Sequence, residues 1–177
     1  MNPVYQPSSL AAKAMNILLW TAQVLGGIFF SFTGFGKVLA YNPAVWHQFL
    51  HQVAWFSAVP QGLFVFIGVC EGLGGIGLIV PALTRVAPYL TPLAAGGLTV
   101  IMILAAIFHI VRSEFSFFLP VCVVLGAVTA FIGFGRWGMP IAPAPLGALR
   151  TLTGLALSGV LIVAGFAPVW YQTAHPH

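Results

Sequence analysis

The sequence predicts an all-α protein, an integral membrane helical bundle. Of its 177 residues 60% are hydrophobic and only 5% are charged, whereas an ordinary soluble domain has about 25% charged residues. The apolar residues form five runs, each long enough to cross a bilayer as a helix. The six basic residues, which give a net charge of +4, are scattered along the chain. We therefore exclude nucleic-acid binding, because it needs a basic face or stripe.

The chain divides into four segments. Residues 1–14 are a short polar lead, which we expect to be disordered and cytoplasmic, and residues 15–137 form a bundle of four spans. A Pro-rich loop over residues 138–149 follows, and residues 150–177 hold a fifth span and a polar tail. The first apolar run is longer than a signal-peptide core and no small-residue cleavage site follows it, so we expect it to stay uncleaved.

The bounds of the spans follow from the apolar runs and from the residues that interrupt them. We predict spans over Met15–Ala40, Pro60–Val80, Thr91–Val111, Phe117–Phe134 and Arg150–Val169. Pro81 and Arg85 close the second span, and Pro120 lies in the first turn of the fourth span or bends it slightly. Arg136 falls in the loop that follows the fourth span.

A short helix is predicted between the first and second spans, because Asn42 is a good N-cap and Pro43 suits the first helical position. Its apolar side consists of Trp46, Phe49, Leu50, Val53 and Phe56, and its polar side of His47, Gln48, His51 and Gln52. Such a helix lies at the membrane surface. His47 and His51 are four residues apart and could hold a metal ion, but no third ligand is adjacent, so the pattern favours interfacial amphipathicity.

Basic residues near the ends of the spans indicate the orientation. A cytoplasmic N-terminus places Lys13, Arg85, Arg136 and Arg150 in the cytoplasm. The C-terminus then lies on the outer side, because the number of spans is odd. We expect a multi-pass protein of the cell membrane, the inner membrane in a bacterium.

Glu71 is a carboxylate inside an otherwise apolar segment. A charge at mid-depth costs about 3 kcal/mol on insertion scales, so it normally faces a protein partner or water. Gly68, Gly72 and Gly75 share its helical face and allow another helix to approach closely. We therefore expect Glu71 to face the interior of the bundle.

Lys37, His109 and Arg112 gather with Glu71 toward the outer half. Helical rise puts Lys37 about 10 Å above Glu71, a gap that water or a ligand could bridge. The alternatives are a snorkelling anchor for Lys37 and, for His109, a helix-end histidine bonded to a carbonyl. We expect Glu71, Lys37 and His109 to form one polar cluster, directly or through water, at the floor of a cavity open to the outer face.

Both cysteines, Cys70 and Cys122, fall in apolar runs at roughly similar depth. They do not form the disulfide framework of a secreted domain. We expect free thiols, and a redox pair is the alternative.

Three motifs, in order and spacing, resemble DoxX-like membrane proteins. They are Phe30-Ser-Phe-Thr-Gly-Phe-Gly-Lys37, the stretch Glu71-Gly-Leu-Gly-Gly-Ile-Gly to Arg85, and Phe108-His-x-x-Arg112-Ser-Glu114. The resemblance covers about Met15–Trp137 and implies a four-helix membrane bundle, to which the fifth span and the short outer helix are added. Members of that family are associated with membrane redox systems, including a subunit of a thiosulfate:quinone oxidoreductase, but the family is functionally diverse.

Two classes of function follow. In the first, the chain is the membrane subunit of an oxidoreductase: Glu71 is the catalytic proton acceptor, and Lys37, His109 and Arg112 bind a quinone-like or other small ligand. In the second, it is a non-catalytic accessory or assembly subunit that docks a partner membrane complex or a second copy of itself. Haem ranks below quinone, because neither His47, His51 nor His109 forms a pair positioned for axial ligation. The sequence has no nucleophilic triad, phosphate loop or Cys-x-x-Cys motif, which disfavours an enzyme complete in itself.

Overall fold

The computed structural model describes residues 10–52, 54–115 and 117–137, which belong to the first of two compact units, Met1–Pro143. This part of the chain is helical and contains no strand. The helices are α1 (Leu10–Val38), α2 (Pro43–Gln52), α3 (Gln61–Thr84), α4 (Leu90–Val111) and α5 (Phe118–Arg136), with 3-10 segments at Leu39–Tyr41 and Ala54–Ala58. The predicted Pro-rich loop and fifth span lie outside the described residues.

Four of these helices, α1, α3, α4 and α5, are long and apolar enough to cross a membrane. The prediction of an all-α membrane bundle is therefore confirmed. Helix α1 starts earlier than expected, at Leu10, inside the stretch predicted to be a disordered lead. Three alanines in that stretch favour a helix, because alanine has the highest helix propensity.

The long helices form a ring in which α1 packs against α3 and α5, and α4 packs against the same two helices. The end of α1 and the start of α3 lie at the same height, since Gln61 Nε2 donates to the Ala40 carbonyl oxygen at 2.8 Å. The end of α4 and the start of α5 join them there, because His109 stacks on Phe118. We call this the capped end, because α2 covers it, and the opposite end the far end.

Helix α3 runs through Pro81 to Thr84, so the prediction that it ends at Val80 is wrong by one turn. Proline removes only one hydrogen bond, which the helix tolerates this close to its end. The helix stops at Arg85, which adopts a left-handed conformation (φ 61°) and donates its N–H to the Pro81 carbonyl oxygen at 3.0 Å. Pro120 lies in the first turn of α5, as one of the two alternatives predicted.

The middle of the bundle is an apolar layer to which α1, α3, α4 and α5 all contribute. Its fully or nearly fully buried members are Phe30, Leu78, Ala95, Leu98, Met102 and Ile132. Many large apolar side chains on the outer faces of the helices are exposed, including Phe66, Leu73 and Leu104. In a bundle with four spanning helices, these side chains face lipid.

Helix α2 is amphipathic, as predicted, and it packs on α3. Asn42 Oδ1 accepts the Ala44 N–H at 2.9 Å, which confirms the N-cap. Trp46 and Phe49 contact the ring of Phe64 on α3, with centroids at 5.4 and 5.7 Å. The polar side chains His47, Gln48 and His51 are exposed. Val53, predicted on the apolar side, lies outside the described residues.

Candidate functional site

Glycines bring α1 and α3 into backbone contact at the capped end. A Cβ atom added to Gly34 would lie 2.3 Å from the Gly72 nitrogen and 2.6 Å from the Gly68 oxygen. A Cβ atom added to Gly68 would lie 2.7 Å from the Lys37 Cβ. No other residue type fits these positions without moving a helix, so the predicted small-residue face is a real packing surface.

This close approach joins Lys37 directly to Glu71. The Lys37 ammonium donates a hydrogen bond to Glu71 Oε2 and forms an ion pair with it. Glu71 is only 3% exposed, whereas the Lys37 side chain is 22% exposed. The pair therefore has a buried anion and a cation that reaches the surface, which offsets the cost of placing a carboxylate among apolar helices.

The direct pair is one of the two forms in which the Lys37–Glu71 contact was expected, but the expected separation in height was too large. The expectation placed Lys37 about 10 Å above Glu71, whereas Gly34 lies level with Gly68 and Gly72. Lys37 is therefore only about one helical turn, about 5 Å, above the carboxylate. A lysine side chain spans that distance, so neither a tilt nor a bridging ligand is needed.

His109 pairs with a different carboxylate, Glu114, in the turn between α4 and α5. His109 Nδ1 lies 2.9 Å from Glu114 Oε2, and Arg112 Nε donates to Glu114 Oε1 at 2.8 Å. The hydrogen bond with His109, and then the hydrogen bond and charge of Arg112, lower the pKa of Glu114 from its usual value, although desolvation opposes them. Glu114 was not among the predicted site residues, although its position five residues after His109 was visible in the motif.

The shared cluster of Glu71, Lys37 and His109 thus has two of its three members in contact. The structure pairs His109 with Glu114, and a bridge from His109 to Glu71 stays a prediction. The alternative for His109 was a bond to a carbonyl, whereas its Nδ1 pairs with a carboxylate. Arg112, a predicted ligand-binding residue, lies over the Phe108 ring, 5.4 Å from its centroid, and holds Glu114.

Aromatic rings surround the His109 imidazole. Phe118 stacks on it with an interplanar angle of 10°, and Trp55 meets it edge-on at 5.4 Å between centroids. Trp55 also contacts Phe64 on α3 and Phe108 on α4. Its buried Nε1 has no hydrogen-bond partner in the described part of the chain. Sequence reasoning missed Trp55, because it follows α2 in a 3-10 segment and breaks the helical period.

The weak metal candidates, His47 and His51, are exposed on α2. Among the residues that the structure describes, no group of three or more His, Cys, Asp or Glu side chains could hold a metal ion. Cys122 is buried, Cys70 is half-buried, and both are free cysteines.

A second polar region lies at the far end. Arg136 is 5% exposed; its Nε donates to Gln23 Oε1 at 2.6 Å and its Nη1 to Asn16 Oδ1 at 3.1 Å. Gln23 Nε2 donates in turn to the Leu78 carbonyl oxygen at 2.8 Å. The prediction that Arg136 lies in a loop is therefore wrong: it ends α5 and is buried against α1, where its guanidinium lies over the Trp20 ring.

An apolar groove of about 390 Å³ lies on the capped half of the bundle, away from Arg136 and its partners at the far end. It is lined by Phe29 on α1 and by Phe117, Pro120, Val121, Val124 and Leu125. Because this lining has no polar side chain, any acid–base chemistry belongs to the two carboxylate clusters and not to the groove.

Comparison with known protein families gives one match. The model of the DoxX-like family matches residues 21–132. The chain belongs to the DoxX-like family. In this DoxX-like protein the matched region contains both carboxylate clusters, whereas Asn16 and Arg136 lie outside it. No curated protein and no solved structure matches the chain.

Proposed function

We propose that this DoxX-like protein is the membrane subunit of a redox system and binds a quinone-like small ligand at the capped end. The observation that carries the proposal is the Lys37–Glu71 pair, a buried carboxylate held by a cation that reaches the surface. Ionisable side chains within membrane spans are rare, and they often mark functional sites.

The chemistry assigned to the pair is hydrogen bonding and proton acceptance. Lys37 would donate a hydrogen bond to a carbonyl oxygen of the ligand, which would weaken its interaction with Glu71. Glu71 would then accept a proton from a ligand hydroxyl. His109, 3% exposed and bonded to Glu114, would supply a further polar contact near the same end.

The test uses the purified full-length protein. Its absorption spectrum and the lipids extracted with it would reveal a bound quinone or haem directly. Glu71→Gln should keep the fold, as judged by circular dichroism, and abolish binding of a short-tailed ubiquinone. Gln48→Ala changes an exposed polar residue of α2 and serves as the matched control. Ubiquinone binding that is unchanged in Glu71→Gln, with only the stability altered, would remove the proposal.

A second candidate is an accessory subunit that docks a partner membrane complex, in which the polar pairs only lock the bundle. The observation that favours it is a small-residue surface on α4, where Cβ atoms added to Gly96 and Gly97 meet no atom within 4 Å. In that case Gly97→Leu should weaken co-purification with the partner, whereas Glu71→Gln should leave it unchanged.

A further inference from the structure

His109, Glu114 and Arg112 form a chain of contacts that reaches from the buried end of α4 to the surface. The imidazole is 3% exposed, Glu114 is partly exposed, and each carboxylate oxygen has its own partner. His109 Nδ1 binds Oε2, and Arg112 Nε binds Oε1. The carboxylate therefore has one orientation in which both bonds exist.

We propose that Glu114 is a positioning residue, which holds neutral His109 with its proton on Nδ1 and leaves the Nε2 lone pair toward the bundle interior. This inference rests on the proposed function, because it gives His109 a defined role toward the ligand at the capped end. It adds a residue, Glu114, and a protonation state that the proposed function does not specify.

The position of one ring proton follows from the partner. An ionised carboxylate has no hydrogen to donate, so a hydrogen bond between Nδ1 and Glu114 requires the proton on Nδ1. In a neutral imidazole only one nitrogen carries a proton, so Nε2 then has the lone pair. The hydrogen bond that Nδ1 makes therefore decides which nitrogen is protonated. Nδ1 points to the partly exposed Glu114, so on this nearly buried ring Nε2 points away from the surface.

The ring itself is held in place. Phe118 stacks on one face, with centroids 5.5 Å apart, and Trp55 abuts the imidazole edge-on. A flip of the imidazole would move Nδ1 away from Glu114. Neither Phe118 nor Trp55, the two rings in contact with it, offers a carboxylate in its place. The aromatic rings fix the plane of the imidazole, and Glu114 fixes which nitrogen is protonated.

In this arrangement Nε2 can interact with a ligand only through its lone pair. As a lone-pair acceptor it binds a hydroxyl hydrogen of a quinol-like ligand, or takes that proton and becomes imidazolium. Nδ1–H stays bonded to Glu114 throughout, and the positive charge formed on the ring is next to the Glu114 carboxylate.

The experiment is nitrogen NMR on protein labelled with ¹⁵N-histidine, at about pH 8, where an unperturbed histidine is neutral. His109→Gln assigns the His109 signals. We expect protonated Nδ1 and unprotonated Nε2 in the wild type, and loss of this signature in Glu114→Ala. Arg112→Ala is the matched control, because it removes the other ion pair of the same turn and keeps the carboxylate, so the signature should persist. The exposed His47 and His51 should not change in any variant.

Binding of a short-tailed ubiquinol, measured on the same samples, separates this inference from the proposed function. We expect about tenfold weaker binding in Glu114→Ala, equal to one hydrogen bond of ordinary strength. A wild type that binds no ubiquinol but keeps the Glu114-dependent signature would overturn the proposed function and support the positioning role. A His109 protonated on Nε2, or a signature unchanged in Glu114→Ala, would overturn the positioning role whatever the ligand does.

Discussion

The two ends of the bundle differ in how they stabilise a buried cationic or anionic side chain. At the capped end both acidic residues of the chain, Glu71 and Glu114, pair with Lys37, His109 and Arg112. At the far end Arg136 donates to the neutral amides of Gln23 and Asn16. Carboxylates and imidazoles change protonation, whereas guanidinium and amide groups do not. The capped end therefore contains groups that can change protonation, whereas the Arg136 bonds at the far end hold α1 against α5.

The largest effect is expected from the packing that assembles the capped end. Gly34→Ala should cost about 3 kcal/mol or more in the free energy of unfolding, because its Cβ would meet the backbone of α3 at 2.3 Å. Gly36→Ala is the control: nothing lies within 4 Å of that Cβ, so stability should be unchanged or rise by up to about 1 kcal/mol. Reversible unfolding in mixed detergent micelles measures both. Equal effects of the two substitutions would contradict the close approach of α1 to α3.

The charge pair at the capped end should behave as a coupled unit. Glu71→Gln should cost about 2 to 3 kcal/mol, below the full penalty for a lone buried charge, because Lys37 is partly exposed and can reach water. The double variant Lys37→Met with Glu71→Gln should recover most of this loss. Lys13→Met, at the exposed lysine near the start of α1, should have no effect. If the losses of stability in the single variants Lys37→Met and Glu71→Gln simply added up in the double variant, the pair would not be coupled.

The far end should affect stability alone. Arg136→Lys should cost about 1 to 2 kcal/mol, since an ammonium cannot replace the forked bonds to Gln23 and Asn16. Binding of a short-tailed ubiquinone should be unchanged. If Arg136→Lys abolished binding while the protein stayed folded, the division between a responsive end and a fixed end would be wrong.

The smallest effect concerns the partly exposed carboxylate Glu114. Its folded-state pKa is lowered, chiefly by the hydrogen bond with His109. Such a group contributes stability above its unfolded pKa, and the contribution is lost as the pH falls through the lowered folded value. Wild type should therefore lose its advantage over Glu114→Gln as the pH falls below the usual glutamate pKa. A difference between the two that does not depend on pH would contradict the ion pair.

The sequence predicted the first four spans and the Lys37–Glu71 contact face because both depend on local spacing. Apolar runs define the helices, and glycines at steps of three and four mark the surface where two of them meet. The height of one helix against another is not local: it depends on the 3-10 turn after α1 and on the bond between Gln61 and Ala40. The predicted separation of Lys37 from Glu71 was wrong for that reason.

The partners of His109 and Arg136 needed information that helical spacing does not hold. Glu114 reaches His109 through a turn in which Ser113 has a positive φ of 57°, and no period of 3.6 residues predicts such a turn. Arg136 and Gln23 are 113 residues apart in the chain. Arg136, a basic residue after an apolar run, was predicted to lie in a loop. Helix α5 instead continues through it, and its side chain is buried.

The apolar layer in the middle of the bundle has an electrical consequence. Six side chains from α1, α3, α4 and α5 separate the two polar ends. Next to this layer, the Thr99 hydroxyl lies 2.9 Å from the Thr129 hydroxyl, and the Thr129 hydroxyl donates to the Leu125 carbonyl oxygen at 3.0 Å. The described bundle thus has no chain of ionisable groups from one end to the other. Glu71 and His109 lie on the capped side of this layer, so any proton that they bind would be exchanged with the solvent at that end.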